Sequence, residues 1–292
     1  MVSRMDMVEV DKESAPRAEP LRGGGDESRP EPARLASARL HVAGAIRYVR
    51  TPVIDIDPRA LERHRVASAG EALDGDAFRL LRTQLLMQMR QRGWQTLAVT
   101  SPNKGAGKTT ISLNLAIGFA MELDYTALLV DADLRDPDLR HMLELPPGPG
   151  LADYLTGHAS LPNLLIHPDL GNLVVLPGGS PVRHTSELMR SPVMADMIRE
   201  LRARYPDRLI VFDVPPILSG ADTLAISAYM DATILVVEER RTSREDLRQS
   251  CDLLRQSNLL GVVLNKSREL REPDPIHRSE PGFLRRLLAA GR

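Results

Sequence analysis

The side chains of this chain that could do chemistry are a lysine beside a glycine-rich turn and a set of Asp and Asn residues placed just beyond apolar runs. SPNKGAGKTT occupies positions 101–110. Gly105 and Gly107 permit a tight turn whose successive N–H groups converge at a helix N-terminus, where the macrodipole also favours an anion. Lys108 adds a charge able to reach β- and γ-phosphates, and the Thr109 hydroxyl is placed to ligate Mg²⁺. Asn103, Lys104, Ala106 and Thr110 complete the expected cradle. The usual pattern begins with glycine five residues before Gly107; Pro102 stands there, while the phosphate-gripping GKTT is intact.

Asp131, Asp133, Asp213 and Asn265 each follow an apolar run that reads as a strand. Ligands of an open parallel sheet gather at the carboxyl ends of its strands, so these residues are expected to ring the phosphate loop. Mg²⁺ keeps several waters and needs only one or two carboxylates beside phosphate oxygens, which suits Asp213 after LIVF. Asp131 and Asp133 alternate along a strand end and can divide two tasks, one orienting or deprotonating a nucleophile and the other holding metal water.

The elements that must position these groups alternate between strand and helix. Strands are predicted at 97–99, 127–130, 173–176, 209–212, 233–237 and 261–264, and helices at 109–121, 150–157, 186–188, 193–205, 221–230 and 243–256. A further helix is predicted over 76–92, where Phe78, Leu81, Leu85 and Met89 form one apolar stripe. Arg79 and Arg82, three apart, are expected to project together beside it. The pattern predicts an α/β P-loop NTPase, with a doubly wound, mostly parallel sheet and helices on both faces.

At 292 residues and 42% hydrophobic content, the chain can bury one substantial core. Its net charge of −1 gives no electrostatic case for nucleic acid as a partner. Cys251 stands alone, which excludes an intramolecular disulfide and suits a reducing cytoplasm. The N-terminus has no apolar signal region, and no apolar run approaches membrane-spanning length. Residues 1–37 read as a disordered tail rich in Pro, Gly, Arg and Glu. Residues 38–75 read as a partly ordered arm, with a short strand or extended segment and then a weak helix around Leu61. The nucleotide-binding domain is expected over 76–266, and 267–292 form a tail.

SPNKGAGKTT, LLVDADLR and IVFDVPP together resemble the bacterial tyrosine kinases of exopolysaccharide and capsule synthesis, and the phrasing AMELDYTALLVDADLRDP is most similar to the exosortase-linked subgroup. The resemblance covers about residues 76 to 266. It implies a kinase that uses ATP and Mg²⁺, with Lys108 on the phosphates, Thr109 and Asp213 on the metal, Asp131 activating the attacking hydroxyl and Asp133 supporting the metal. Asn265 and Lys266 join the expected nucleotide-binding set. The resemblance also places Asp76, Arg79 and Arg82 on the family's Glu-x-x-Arg-x-x-Arg ring-interface motif, with Asp in place of the first Glu. It implies a homo-oligomeric ring, a membrane polysaccharide co-polymerase on a separate chain as partner, and a location at the inner face of the plasma membrane.

One departure concerns the acceptor. These kinases typically phosphorylate a C-terminal tyrosine cluster, yet 267–292 contain no tyrosine, so the target is Tyr48, another protein, or absent. Tyr125, Tyr154, Tyr205 and Tyr229 are expected to pack inside the fold. Two other readings stand beside the kinase: a membrane-cycling switch like MinD and ParA, and an ATP-bound ring partner that transfers nothing. The MinD signature lysine is replaced by Asn103, but residues 281–292 resemble a membrane-targeting helix, with Phe283, Leu284, Leu287 and Leu288 on one side and Arg285, Arg286 and Arg292 available to headgroups. Packing of that helix on protein is the alternative to membrane contact.

Overall fold

The computed structural model describes residues 51–66, 75–122, 124–204 and 207–267, with only the backbone given for 75–77. Six parallel strands form one sheet: β1 (Thr96–Thr100), β2 (Thr126–Asp131), β3 (Leu173–Leu176), β4 (Arg208–Asp213), β5 (Ala232–Glu238) and β6 (Leu259–Asn265). Their order across the sheet is β3-β2-β4-β1-β5-β6. Connections from β1 and β2 run toward the β3 edge, whereas those from β4 and β5 run toward β6. Where these directions part, the carboxyl ends of the inner strands are left open to ligand.

The strands read as continuous apolar runs because both faces are covered. Along β1, Leu97 and Val99 face one core and Ala98 the other; along β4, Val211 alternates with Ile210 and Phe212. The first core is closed by α3 (Lys108–Ala120), a helix apolar on nearly every side because almost every residue of it is buried. α2 (Gly75–Arg92) packs on α3, with Leu85 and Met89 buried and Phe78 and Leu81 partly so. The expected stripe is therefore the packed one. The second core lies under α5 (Leu151–Leu155), α6 (Thr185–Met189), α7 (Pro192–Arg204) and α8 (Asp222–Ser227), and α9 (Arg244–Leu253) covers a smaller cluster with Leu235 and Val237.

The arm ahead of the domain contains α1 (Pro58–Arg63), capped by Asp57, whose carboxylate accepts the Arg59 N–H at 2.9 Å. Ala60, Leu61 and Val66 are buried in the first core, and the Asn114 side chain donates to Arg65 O at 3.0 Å. Before α1 the chain is extended, and Val53 forms a parallel bridge with His167. α4 (Leu139–Met142) has no counterpart in the predicted elements, because four residues are too few for a period to show. Residues 243–256 end earlier than expected, in a 3₁₀ turn at Leu254–Gln256. The expectations for residues 1–50 and 268–292, including Tyr48 and the 281–292 helix, fall outside the described residues, as does Tyr205.

Gly150, the residue before α5, packs against the loop that follows β3. A Cβ there would come within 2.2 Å of Gly179 N and 2.3 Å of Pro177 O, and Leu151 N already donates to Pro177 O at 2.8 Å. The obstacles are backbone atoms that cannot rotate away. Gly150→Ala is expected to lower stability by at least about 1–3 kcal/mol, as overpacking does, and to move the urea midpoint down at unchanged slope. An unmoved midpoint would show that the two segments are not docked this closely.

Candidate functional site

The loop between β1 and α3 turns through two left-handed glycines, Gly105 at φ 90° and Gly107 at φ 93°. Residues with a Cβ rarely adopt this region, and at Gly107 a Cβ would also come 2.2 Å from Asn265 Nδ2. Pro102 replaces the first glycine without penalty: it precedes the turn and its φ is not positive, while its carbonyl accepts the Leu218 N–H at 3.2 Å. Ser101 Oγ donates to Asn103 O at 2.8 Å and Ser101 O accepts from Ile217 N at 2.8 Å, so the loop is tied at its start.

At its end the loop delivers Lys108 among carboxylates. Lys108 Nζ lies 3.0 Å from Asp133 Oδ2, 3.3 Å from Asp213 Oδ2 and 3.3 Å from Thr109 Oγ1. Asp213 also accepts from the Ser112 hydroxyl at 3.2 Å and is hydrogen-bonded by Thr109. Asp131 is buried behind them, accepting the backbone N–H of Asp133 at 3.3 Å and of Leu139 at 3.1 Å. The two aspartates of the DADLR run thus have different surroundings: Asp133 meets the lysine, and Asp131 meets the start of α4.

Burial opposes charge on Lys108, but Asp213 and Asp133 outweigh it and hold the ammonium above its ordinary pKa. Burial pushes Asp213 up, against the pull of Lys108. Burial and the neighbouring Asp213 raise Asp131 to about 8.

Asn265 Nδ2 donates to Ala106 O at 2.8 Å, and Lys266 Nζ donates to Gly105 O at 2.7 Å. Asn103 reaches across to Asp246 Oδ2 at 3.0 Å, and Lys104 pairs with Asp136. Thr110 lies one residue past Thr109 in the first turn of α3, its carbonyl accepting from the Asn114 side chain at 2.9 Å. Every loop and strand-end residue expected at the site is therefore around the same crevice. Arg79 and Arg82 are elsewhere and do not project as one pair: Arg79 is exposed, but Arg82 lies along α3 at Gly118 and pairs with Glu122 at 3.3 Å. The side chain of Asp76 falls outside the described residues.

Sequence reasoning missed Ser112, although its position one helical turn after Lys108 places it on the same face. It also missed Glu238 and Arg241 beside the loop, and Arg135, whose Nε lies 2.7 Å from buried Asp222 beyond the site. A cavity of about 420 Å³ lined by Met89, Trp94, Tyr125 and Arg202 opens at the amino ends of the strands, away from this chemistry.

The donor set fits Mg²⁺. Among the described residues no three His, Cys, Asp or Glu side chains form a metal cage, but a hard ion bound with nucleotide needs only the hydroxyl and carboxylate oxygens of Thr109, Asp213 and Asp133, with water and phosphate completing its shell. Those oxygens already converge on one cation, the Lys108 ammonium.

A glycine-rich loop at a helix N-terminus, facing acids at the ends of parallel strands, defines a P-loop NTPase. The family described as ParA, NUBPL iron-transfer P-loop NTPase, matches residues 94–275. Within that class the chain belongs to the bacterial tyrosine-protein kinase family. It is 36% identical over 175 residues to the tyrosine-protein kinase CpsD of Streptococcus pneumoniae, covering 59% of this chain and 76% of that protein. It is 30% identical over 197 residues to the tyrosine-protein kinase YwqD of Bacillus subtilis, covering 67% of this chain and 82% of that one. The crystal structure of the VpsO kinase domain superposes with a TM-score of 0.58 at 32% identity, over 63% of this chain and 91% of that domain. Against the longer putative tyrosine-protein kinase EpsB of Ralstonia solanacearum, the match takes in only 25% of that protein.

The raised pKa of Asp131 has a consequence for stability. The folded protein keeps a proton on Asp131 that the unfolded chain, with the ordinary aspartate pKa of 3.8, has released. That contribution is complete below pH 4 and is lost as pH rises through about 8. The urea midpoint of nucleotide-free protein is therefore expected to fall between pH 5 and pH 8.5, and Asp131→Asn should flatten that fall. An equally steep profile in the variant would assign the slope to other groups.

Proposed function

We propose that this protein is a Mg²⁺- and ATP-dependent protein-tyrosine kinase acting in exopolysaccharide or capsule synthesis and export. The observation that carries it is the convergence of Lys108, Thr109, Asp133 and Asp213 beside the glycine loop. The names of the similar proteins CpsD and YwqD support tyrosine as the acceptor class. When bound, Mg·ATP supplies the γ-phosphoryl group as electrophile.

The loop N–H groups bind the phosphates and the Lys108 ammonium neutralises them. Thr109 and Asp213 would hold the metal, with Asp133 supporting it. Asp131, in its ionised form, takes the proton of the acceptor hydroxyl; burial beside Asp213 raises its basicity above that of an ordinary carboxylate. Little covalent work remains for the protein, so catalysis is positioning and charge neutralisation. Asn103, Lys104, Ala106, Thr110, Asn265 and Lys266 shape the nucleotide site around this centre.

The same reading extends to assembly. The partner is a membrane polysaccharide co-polymerase, as the sequence resemblance implies. The chain works at the inner face of the plasma membrane, in the exosortase-linked subgroup that its sequence most resembles. Asp76, Arg79 and Arg82 contribute to a homo-oligomeric ring. One observation favours a second reading, an ATPase switch: the ParA description itself matches the chain. Against it, Asn103 holds the place of the switch lysine and is engaged with Asp246.

Purified protein incubated with Mg·ATP and mapped for phosphopeptides is expected to yield phosphotyrosine that Asp131→Ala lacks, which also names the acceptor. Lys108→Met should reduce transfer by about 10²-fold or more, the loss that follows removal of one transition-state charge donor. Phosphate release without phosphotyrosine would favour the switch, and turnover undiminished in Lys108→Met would refute the site. Arg79→Ala with Arg82→Ala should lower the sedimentation mass of the assembly; an unchanged mass would remove those arginines from the ring contact.

A further inference from the structure

Strands β5 and β6 present a second group of charges to the phosphate loop, which the phosphoryl chemistry above does not use. Glu238 ends β5, in register with Asn265 at the end of β6. Its Oε2 is shielded from solvent and lies 3.2 Å from Lys266 Nζ and 3.5 Å from Arg241 Nη1. Lys266 passes the contact on, donating to Gly105 O at 2.7 Å. Arg241 lies over the same glycine: a Cβ on Gly105 would come 3.3 Å from its Nη1. The turn after β5 closes on Glu238, whose N–H donates to Thr242 Oγ1 at 3.0 Å and whose carbonyl accepts from Arg241 N at 3.3 Å.

The geometry has a directional effect on the loop. In a planar trans peptide the C=O and the following N–H point opposite ways. Lys266 and Asn265 hold the carbonyls of Gly105 and Ala106 outward, so the N–H groups of Ala106 and Gly107 point the other way, toward the anion site. Asn265 is neutral and fixed by its strand, but Lys266 is a flexible cation half in water, beside a second cation on Arg241. The Glu238 carboxylate between them offsets their repulsion.

We propose that Glu238 is a positioning residue for nucleotide binding: it holds Lys266 on the Gly105 carbonyl and Arg241 over the loop, and thereby aligns the loop N–H groups on the phosphates. This rests on the nucleotide site described above. The residue acts through Lys266 and Arg241 on the loop.

The test compares wild type, Glu238→Ala and the isosteric Glu238→Gln, using titration with fluorescently labelled ADP in Mg²⁺ and hydrogen exchange of residues 101–108 in nucleotide-free protein. Both variants are expected to bind ADP about tenfold more weakly, the effect of losing one charged contact, and to exchange the loop amides faster. Glu238→Asp, which restores the charge, should recover part of both. Unchanged or tighter ADP binding in folded Glu238→Ala and Glu238→Gln would overturn the proposal, since removing an acid near phosphates otherwise strengthens binding. Weaker binding with unchanged loop exchange would overturn the alignment mechanism. Wild type that binds no ADP would instead remove the site assignment, and the role of Glu238 with it.

Discussion

The Lys108 ammonium among the carboxylates of Asp133 and Asp213, with Asp131 behind them, is the interaction on which the rest of the site depends. Three acids taken from water at the ends of adjacent strands are unfavourable unless charge and hydrogen bonds compensate them. Lys108 supplies the charge; Ser112, Thr109 and two backbone N–H groups supply the hydrogen bonds. Asp131, without an ion pair among the described residues, has its pKa raised to about 8 by burial and by Asp213. One lysine thus links the fold's electrostatic balance to its phosphate chemistry, because the charge that steadies the acids is also the one that phosphate attracts.

The loop that carries this lysine has few side chains of its own with which to hold a shape. Gly105 and Gly107 give it the conformation, and neighbouring strands supply the restraint: Asn265 and Lys266 from β6 fix two carbonyls, and Ser101 is bonded by the turn after β4. Freedom at the glycines and restraint from outside are complementary, since a residue with a Cβ at Gly107 would exclude the Asn265 side chain that steadies it.

Much of this was legible in the sequence, for a local reason. Strand, glycine turn and helix follow one another between Thr96 and Ala120, and the acids sit where apolar runs stop, so Lys108, Thr109, Asp131, Asp133, Asp213 and Asn265 could be named from spacing alone. What could not be read depends on contacts between distant segments. That the backbone N–H of Leu139 holds Asp131 could not be read, because α4, which Leu139 opens, is too short to leave a period. Arg82 looked like a surface partner of Arg79 but turns onto α3, because Gly118 leaves a groove for its stem. Glu238 ends a strand as the aspartates do, yet nothing in its neighbourhood reveals that Lys266 and Arg241 meet there.

The register of the sheet shows why the strands end in charge. Asp131 pairs with Asp213 across β2 and β4, and Val99 pairs with Asp213 across β1 and β4. In a sheet with one wet face, hydrophobic alternation fixes register, because a slip of one residue moves every apolar side chain to water. Here both faces are apolar, and a slip would exchange one buried side chain for another at little expense. The aspartates remove that degeneracy: shifting β4 toward its amino end would carry Asp213 into the apolar layer and away from Lys108, leaving a buried charge without its partner. The residues that serve the phosphate site therefore also select the one register in which that site exists.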